Sequence, residues 1–128
     1  MSAGRGNTLI VDDEPDVRLL LLLVINKENE GLQVVGEAAS GDEAIELRRE
    51  LDVDIVVLDH RMPGRTGLET AREMLAERPE LPILLYSAFT DQRMIDEAEQ
   101  IGIRECIEKG DARRLVTALR ELAGLDAS

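Results

Sequence analysis

Short apolar runs alternate with longer amphipathic segments along the chain, and this alternation constrains the fold more than any other feature. The apolar runs predict five buried strands, at 8–12, 33–37, 54–59, 82–87 and 104–108. The segments between and after them predict five helices, at 15–29, 41–51, 66–78, 91–101 and 111–123. Strands that alternate with helices indicate a parallel sheet covered on both faces. We therefore predict an α/β fold of three layers, doubly wound around a five-stranded parallel sheet.

The length of the chain limits it to one domain. At 128 residues there is room for one compact unit, and a core of this size needs no disulfide or structural metal. Because the aromatic residues are only Tyr86 and Phe89, the core must be aliphatic. We expect a domain over 8–124, preceded by a flexible N-terminus at 1–7 and followed by a C-terminal tail at 125–128.

Composition excludes several classes of function. The net charge of −12 disfavours direct binding to nucleic acid or anionic lipid. The longest apolar run, at 19–25, is far shorter than a membrane span, which needs about 20 residues. One cysteine, Cys106, rules out an internal disulfide, and the N-terminus has no apolar signal segment. We expect a soluble, cytoplasmic protein without nucleic-acid or membrane partners.

Polar residues follow four of the predicted strands where each strand ends. Asp12, Asp59, Ser87 and Lys109 lie at or just after the ends of the first, third, fourth and fifth strands. In open parallel sheets, ligands bind outside the carboxyl ends of the strands. We therefore expect these four side chains to converge at one edge of the sheet.

The residue types at this edge favour phosphate chemistry with a metal. Asp12, Asp13 and Asp59 would repel each other unless a cation neutralises them, and carboxylate oxygens suit Mg²⁺. Lys109 and Ser87 offer a positive charge and a hydroxyl to phosphoryl oxygens. Asp59 could then act as a nucleophile that forms an acyl phosphate. The sequence has no GxxxxGK[ST] phosphate loop, so we do not expect ATP as a direct donor.

Four motifs stand in order at the predicted strand ends. They are VDDEPDVR at 11–18, VVLDHRMPGRTGLE at 56–69, LLYSA at 84–88 and IEKG at 107–110. Together they resemble the receiver domains of two-component response regulators, over about residues 9–122. The resemblance implies a flavodoxin-like (βα)₅ fold with strand order 2-1-3-4-5. It also implies either a stand-alone receiver or one cut from a longer regulator.

The resemblance assigns roles by position. It implies that Asp59 is the phosphoacceptor, and that Mg²⁺ is held by Asp12, Asp13, Asp59 and the backbone carbonyl of Arg61. It implies further that Ser87 is the switch hydroxyl, that Ala88 is the small residue after it, and that Lys109 is the family's lysine. The implied donor is a phosphohistidine on a sensor histidine kinase or a histidine phosphotransfer protein. Such a chain is not an enzyme, because it catalyses only its own phosphorylation and dephosphorylation.

Two positions depart from the family pattern. Cys106 stands where receivers usually carry Tyr or Phe, and Gly110 stands where Pro, with a cis bond, usually follows the lysine. Without Pro a cis bond costs about 2.5–4 kcal/mol, so we expect a trans bond here. These departures favour one alternative, a phosphorylation-independent interaction or dimerisation module. A second alternative, a Mg²⁺-dependent phosphohydrolase, usually needs an acid where Arg61 stands.

Two further positions predict how the domain behaves. Arg61 and Phe89 each lie two residues beyond a site residue, and we expect their bulk to shield an acyl phosphate from water. In the first helix, helical periodicity places Leu20 on the sheet-facing side and Leu19, Leu22 and Leu23 on the outer side. We expect those three outer leucines to form a homodimer or docking contact.

Several residues also have ordinary structural interpretations. Asp13 and Glu14 could merely cap the first helix, because acidic residues favour its first turn. His60 is interpreted as a loop residue that points away from Asp59, and Cys106 as a small core residue in preference to a redox sensor. The Arg113–Arg114 pair is interpreted as a solvated helix face or a docking contact.

Overall fold

The computed structural model describes residues 6–28 and 31–125, apart from the side chain of residue 28. The strands are β1 (Gly6–Val11), β2 (Leu32–Ala38), β3 (Ile55–Leu58), β4 (Ile83–Ser87) and β5 (Glu105–Glu108). The helices are α1 (Pro15–Glu28), α2 (Gly41–Glu50), α3 (Gly67–Glu77), α4 (Gln92–Ile101) and α5 (Ala112–Leu122). Among the described residues, no helix has both the length and the apolar composition needed to cross a bilayer.

The five strands form one sheet in the order β2-β1-β3-β4-β5, and all neighbouring pairs are parallel. The predicted fold class and strand order are therefore confirmed. The chain moves outward from β1 to β2 and then crosses back to β3. This reversal opens a crevice at the carboxyl ends of β1 and β3, where open α/β sheets bind ligands.

Alternating side chains along the strands divide the core into two halves. Leu9 and Val11 of β1 join the cluster beneath α2, α3 and α4, whereas Ile10 between them joins the cluster beneath α1 and α5. The residues of β3 are buried on both faces, which accounts for their uninterrupted apolar sequence. At about 25 cal/mol per Å² of buried apolar surface, these two aliphatic clusters supply the main drive to fold.

Polar caps fix where three of the site-bordering helices begin. Thr66 and Glu69 form a capping box at the start of α3, with reciprocal side-chain to backbone hydrogen bonds. Asp91 caps α4 and Asp111 caps α5. Each cap satisfies a backbone N–H that has no partner in the first turn of a helix.

The structure corrects both predicted ends of the domain. Strand β1 begins at Gly6, so residues 6 and 7 do not belong to a flexible N-terminus. The Asn7 amide N–H donates to Asp54 and its side chain donates to the Asp52 carbonyl, which ties the strand down. Leu125 belongs to the domain too, because it packs against the α1/α5 cluster and its carbonyl accepts a hydrogen bond from Arg120.

The predicted outer face of α1 is partly wrong. Leu20 is 49% exposed, although the periodicity placed it on the sheet, and Leu22 is half-buried. The cause is that α1 leans toward β2, where Arg18 pairs with Glu37, and Leu22 lies one turn beyond Arg18 on that flank. The exposed leucines are Leu19, Leu20 and Leu23.

Candidate functional site

Backbone pairing at the strand ends brings the predicted site residues together. The Asp59 amide donates to the Val11 carbonyl at 2.9 Å, which carries the β1/β3 ladder one residue past β3 and sets Asp59 beside Asp12. The Lys109 amide donates to the Ser87 carbonyl at 2.8 Å and does the same for β4 and β5. The expected convergence of Asp12, Asp59, Ser87 and Lys109 at one sheet edge is what the geometry shows.

The ammonium of Lys109 lies at the centre of this group. Its Nζ is 2.9 Å from Oδ2 of Asp12, 3.4 Å from Oε1 of Glu14 and 3.6 Å from Oδ2 of Asp59. Burial lowers the pKa of Lys109, but the hydrogen bond to Asp12 and the charge of Asp59 outweigh burial and raise it. Lys109 therefore remains positively charged at any physiological pH.

The carboxyl group of Asp59 is buried, and the neighbouring acids make its ionised form less favourable. Burial, together with the charges of Asp12 and Asp13, raises its pKa to about 6. Lys109 and the backbone N–H of Arg61 act in the opposite direction and only partly compensate. An additional cation near these acids would favour the ionised form of Asp59.

Ser87 has a buried side chain whose oxygen lacks a partner. Its Oγ has no hydrogen-bond partner among the described residues, although Ser87 is only 1% exposed. The hydroxyl lies on the wall of a cavity of about 250 Å³. The residues that line this cavity are Asp13, Glu14, Asp59, Arg61, Ser87, Ala88 and Lys109. Burying a hydroxyl without a hydrogen-bond partner costs free energy. The site is therefore suited to a polar ligand that can accept a hydrogen bond from Ser87.

Three acids border the same space. Carboxylate oxygens of Asp12, Asp13 and Asp59 all lie within 4.8 Å of one another. Oxygen ligands at this spacing suit a hard divalent cation that keeps some of its water. In the capping interpretation, Asp13 would have served the first turn of α1. In the structure it is Asp12 that accepts a hydrogen bond there: the Glu14 amide donates to its Oδ1 at 2.9 Å.

With this geometry established, the similarity of the chain to known proteins decides its family. Residues 8–120 match the response regulator receiver domain family. The chain belongs to that family.

Two relatives differ in how much of their own length the match covers. The chain is 37% identical over 116 residues to the chemotaxis protein CheY of Thermotoga maritima, which covers 90% of this chain and 95% of that protein. It is 33% identical to the response regulator GacA of Pseudomonas aeruginosa, over 89% of this chain. It spans about half of GacA, at 53% of that protein's length.

A solved structure gives the same result for the fold. A two-component response regulator of the LuxR family from Aurantimonas sp. SI85-9A1 superposes with a TM-score of 0.86 and is 33% identical. The superposition covers 95% of this chain and 88% of that one. The helices and strands of the receiver domain described above are thus those of its relatives.

Arg61 reaches from the β3–α3 loop toward the neighbouring loop of the receiver domain. Its guanidinium lies 5.2 Å from the centre of the Phe89 ring, a cation–π contact beside the Asp59 cavity. Phe89 itself is 66% exposed and lines a neighbouring cavity, so the pair lies at the surface beside the site and not in the core. The assignment of the Arg61 carbonyl as a metal ligand stays a prediction.

Other residues of the receiver domain lie where the sequence analysis expected. His60 lines a separate cavity of about 560 Å³ with Met62 and Phe89, and it does not line the Asp59 cavity. Burial raises the pKa of Cys106, which is half-buried against the α2/α3/α4 cluster, and this favours the core interpretation over a redox sensor. No peptide bond among the described residues is cis, so the trans bond expected before Gly110 is confirmed.

Three contributors to the site were missed by the sequence analysis. Glu14 shares the Lys109 ammonium, and Nη1 of Arg18 donates to the Asp12 carbonyl at 2.6 Å. At Gly67 a Cβ would lie 2.3 Å from the Asp59 carbonyl oxygen, so only glycine lets α3 begin this close to the acid. All three residues stand within the quoted motifs, which was the available signal. Glu14 pairs with a residue 95 positions away, which no local pattern indicates.

Proposed function

We propose that this receiver domain accepts a phosphoryl group on Asp59, with Mg²⁺, and thereby switches its binding to a partner in two-component signalling. The observation that carries the proposal is the pairing of a buried carboxylate with a half-buried ammonium, 3.6 Å apart, beside a serine hydroxyl that has no partner among the described residues. Each group has a separate use in forming and holding an acyl phosphate.

The donor set supports Mg²⁺ at the acidic edge. Asp12, Asp13 and Asp59 would hold the ion, with the Arg61 carbonyl as the proposed further ligand. The raised pKa of Asp59 supports this assignment, because burial and the charges of Asp12 and Asp13 disfavour its ionised form, which a bound cation would stabilise. When bound, the ion would screen the charge between the carboxylate and an incoming phosphoryl group.

The side chains of the domain would then perform the remaining tasks. A carboxylate oxygen of Asp59 forms a bond to phosphorus, and the bond from phosphorus to the donor's imidazole nitrogen breaks. The Ser87 hydroxyl donates to a phosphoryl oxygen, and Lys109 supplies positive charge beside the same group. Ala88, which lines the cavity beside Ser87, leaves room for the phosphoryl oxygens. Attack by water on the acyl phosphate restores Asp59, so the domain turns over no other substrate.

The proposed donor is a phosphohistidine on a sensor histidine kinase or a histidine phosphotransfer protein. The absence of a glycine-rich phosphate loop from the sequence argues against nucleotide as the direct donor. The excess of acidic residues, 27 against 15 basic, argues against nucleic acid as the partner of this domain. We propose the cytoplasm as its compartment, where such donors are found.

Beryllofluoride with Mg²⁺ tests the proposal, because it mimics the phosphoryl group on an aspartate. The domain has no tryptophan, so binding is followed by calorimetry and by ¹H–¹⁵N spectra. We expect the wild-type domain and Asp52→Asn, a control at an exposed acid far from the site, to bind, and Asp59→Asn not to bind. Failure of the wild type to bind would favour the phosphorylation-independent module. Release of phosphate from small phosphate esters would favour the phosphohydrolase.

We also propose a homodimer through the outer face of α1. The sequence predicted this contact at Leu19, Leu22 and Leu23; we now propose Leu19, Leu20 and Leu23, because these are the exposed leucines of α1. These three leucines stand on adjacent turns, and pairing two copies of α1 would cover them. We expect Leu23→Glu to convert a dimer to a monomer in sedimentation velocity, whereas Gln92→Glu on α4 adds the same charge elsewhere without effect. A dimer that survives Leu23→Glu would contradict this contact.

A further inference from the structure

The hydroxyl of Tyr86 makes an unusual contact with the turn that carries Lys109. The Gly110 amide donates to the Tyr86 Oη at 3.1 Å. Tyr86 is only 2% exposed, and its ring is packed in the cluster beneath α1 and α5. Its oxygen is thus held by a rigid, buried ring and not by a mobile surface side chain.

The turn between β5 and α5 is anchored on both sides of Lys109. The Lys109 amide donates to the Ser87 carbonyl, and the next amide, that of Gly110, donates to Tyr86. Both acceptors belong to successive residues of β4. Because two consecutive N–H groups donate to one strand, the backbone from which the Lys109 side chain starts is held in place.

Gly110 is suited to this arrangement in two ways. Its φ of +105° lies in the region that favours glycine, and its N–H is available as a donor. A proline at this position could offer neither property, since its φ is fixed near −65° and it has no N–H. The glycine that departs from the family pattern is therefore matched by a tyrosine that accepts its hydrogen bond.

We propose that Tyr86 is a positioning residue for Lys109. Its hydroxyl holds the 109–110 backbone so that the ammonium stays within reach of both Asp12 and Asp59. Tyr86 does not touch the phosphoryl group and acts through the lysine. The proposal rests on the function of Asp59 and Lys109 proposed above.

Tyr86→Phe tests it, because this change removes one oxygen and keeps the buried ring. The readout is the rate of Asp59 phosphorylation by phosphoramidate with Mg²⁺, followed by intact-mass spectrometry. We expect the rate to fall about fivefold, the range that loss of one neutral hydrogen bond allows. The affinity for Mg²⁺ alone should not change, since the acids are untouched. Amide exchange at Gly110 should accelerate.

Two comparisons separate positioning from a general loss of stability. Thr8→Val removes another buried hydrogen bond made by a hydroxyl, the one that Thr8 donates to the Gly6 carbonyl at the end of β1 away from the site. This change should leave the phosphorylation rate unchanged. In a Lys109→Ala background, Tyr86→Phe should have no further effect, because the group it positions is absent.

The outcomes distinguish this inference from the function it rests on. If wild-type protein is not phosphorylated and does not bind beryllofluoride, the proposed function fails. If wild-type protein reacts and Tyr86→Phe reacts equally fast, only the positioning role is overturned. The positioning role is also overturned if Tyr86→Phe slows phosphorylation of the Lys109→Ala protein as much as that of the wild type.

Discussion

The edge of the sheet that carries the site residues has two halves, which follow the family pattern to different degrees. The acidic half, at the ends of β1 and β3, brings Asp12, Asp13 and Asp59 together as the family motifs predict. The switch half, at the ends of β4 and β5, keeps Ser87 and Lys109 but replaces the usual surroundings. In this chain the acidic half keeps the residues of the family motifs, whereas the surroundings of Lys109 depart from the family pattern at Cys106 and Gly110.

The difference has a physical basis. Metal and phosphoryl binding need particular charged atoms at short range, so few residue types can serve in the acidic half. The position of Lys109 depends only on its turn being held, and the Tyr86–Gly110 hydrogen bond can hold it without proline. Cys106 lies in the same half, where a half-buried thiol takes the place of a large ring.

The largest effect that separates the halves concerns the electrostatic cost of Asp59. Its pKa of about 6 exceeds the ordinary value of 3.8, so ionising this acid destabilises the folded domain. The cost is absent below about pH 4, grows between about pH 4 and 6, and is fully present above about pH 6. Without metal, we expect Asp59→Asn to raise the free energy of unfolding at about pH 8 by on the order of 2 kcal/mol, and to change it little at about pH 4.

Urea unfolding in a chelator at the two pH values checks this prediction, with Asp52→Asn as the exposed control. Excess Mg²⁺ should shrink or reverse the advantage of Asp59→Asn, because the metal stabilises the wild-type acids. An equal gain in the free energy of unfolding at both pH values would mean that the effect of Asp59→Asn does not come from removing the charge. The contrast between the two halves would then have no electrostatic basis.

The same contrast explains how far the sequence could predict the molecule. Strand ends and motifs identified Asp12, Asp59, Ser87 and Lys109, because a parallel sheet brings its carboxyl ends to one edge. Leu20 and Leu22 were exchanged, since helical periodicity alone does not show that α1 lies against β2, on the side where Arg18 pairs with Glu37. The role of Tyr86 was also missed, because a hydroxyl that crosses from β4 to the turn after β5 leaves no local pattern.

A smaller effect concerns the hydroxyl of Ser87 in the switch half. In the free domain this buried oxygen has no partner among the described residues, so Ser87→Ala should stabilise the domain or leave it unchanged. In the beryllofluoride complex the hydroxyl gains an acceptor, and the same change should weaken binding about fivefold. Thermal unfolding with and without beryllofluoride and Mg²⁺ measures both effects. A Ser87→Ala domain that loses stability without the ligand would show that the oxygen is already satisfied.

The smallest effect tests the contact that joins the halves. Arg61 comes from the loop after β3 and lines the Asp59 cavity, and it forms a cation–π pair with Phe89 from the loop after β4. Such a pair contributes about 0.5–1 kcal/mol at an exposed site, so Phe89→Ala should free Arg61 and admit water more often. We expect the phosphorylated domain to lose its phosphoryl group about two- to fivefold faster, as followed by intact-mass spectrometry. Phe89→Leu keeps the bulk without the ring, so it separates shielding by volume from the cation–π contact. If both variants decay at the wild-type rate, the two loops do not jointly exclude water, and the halves act independently after phosphorylation.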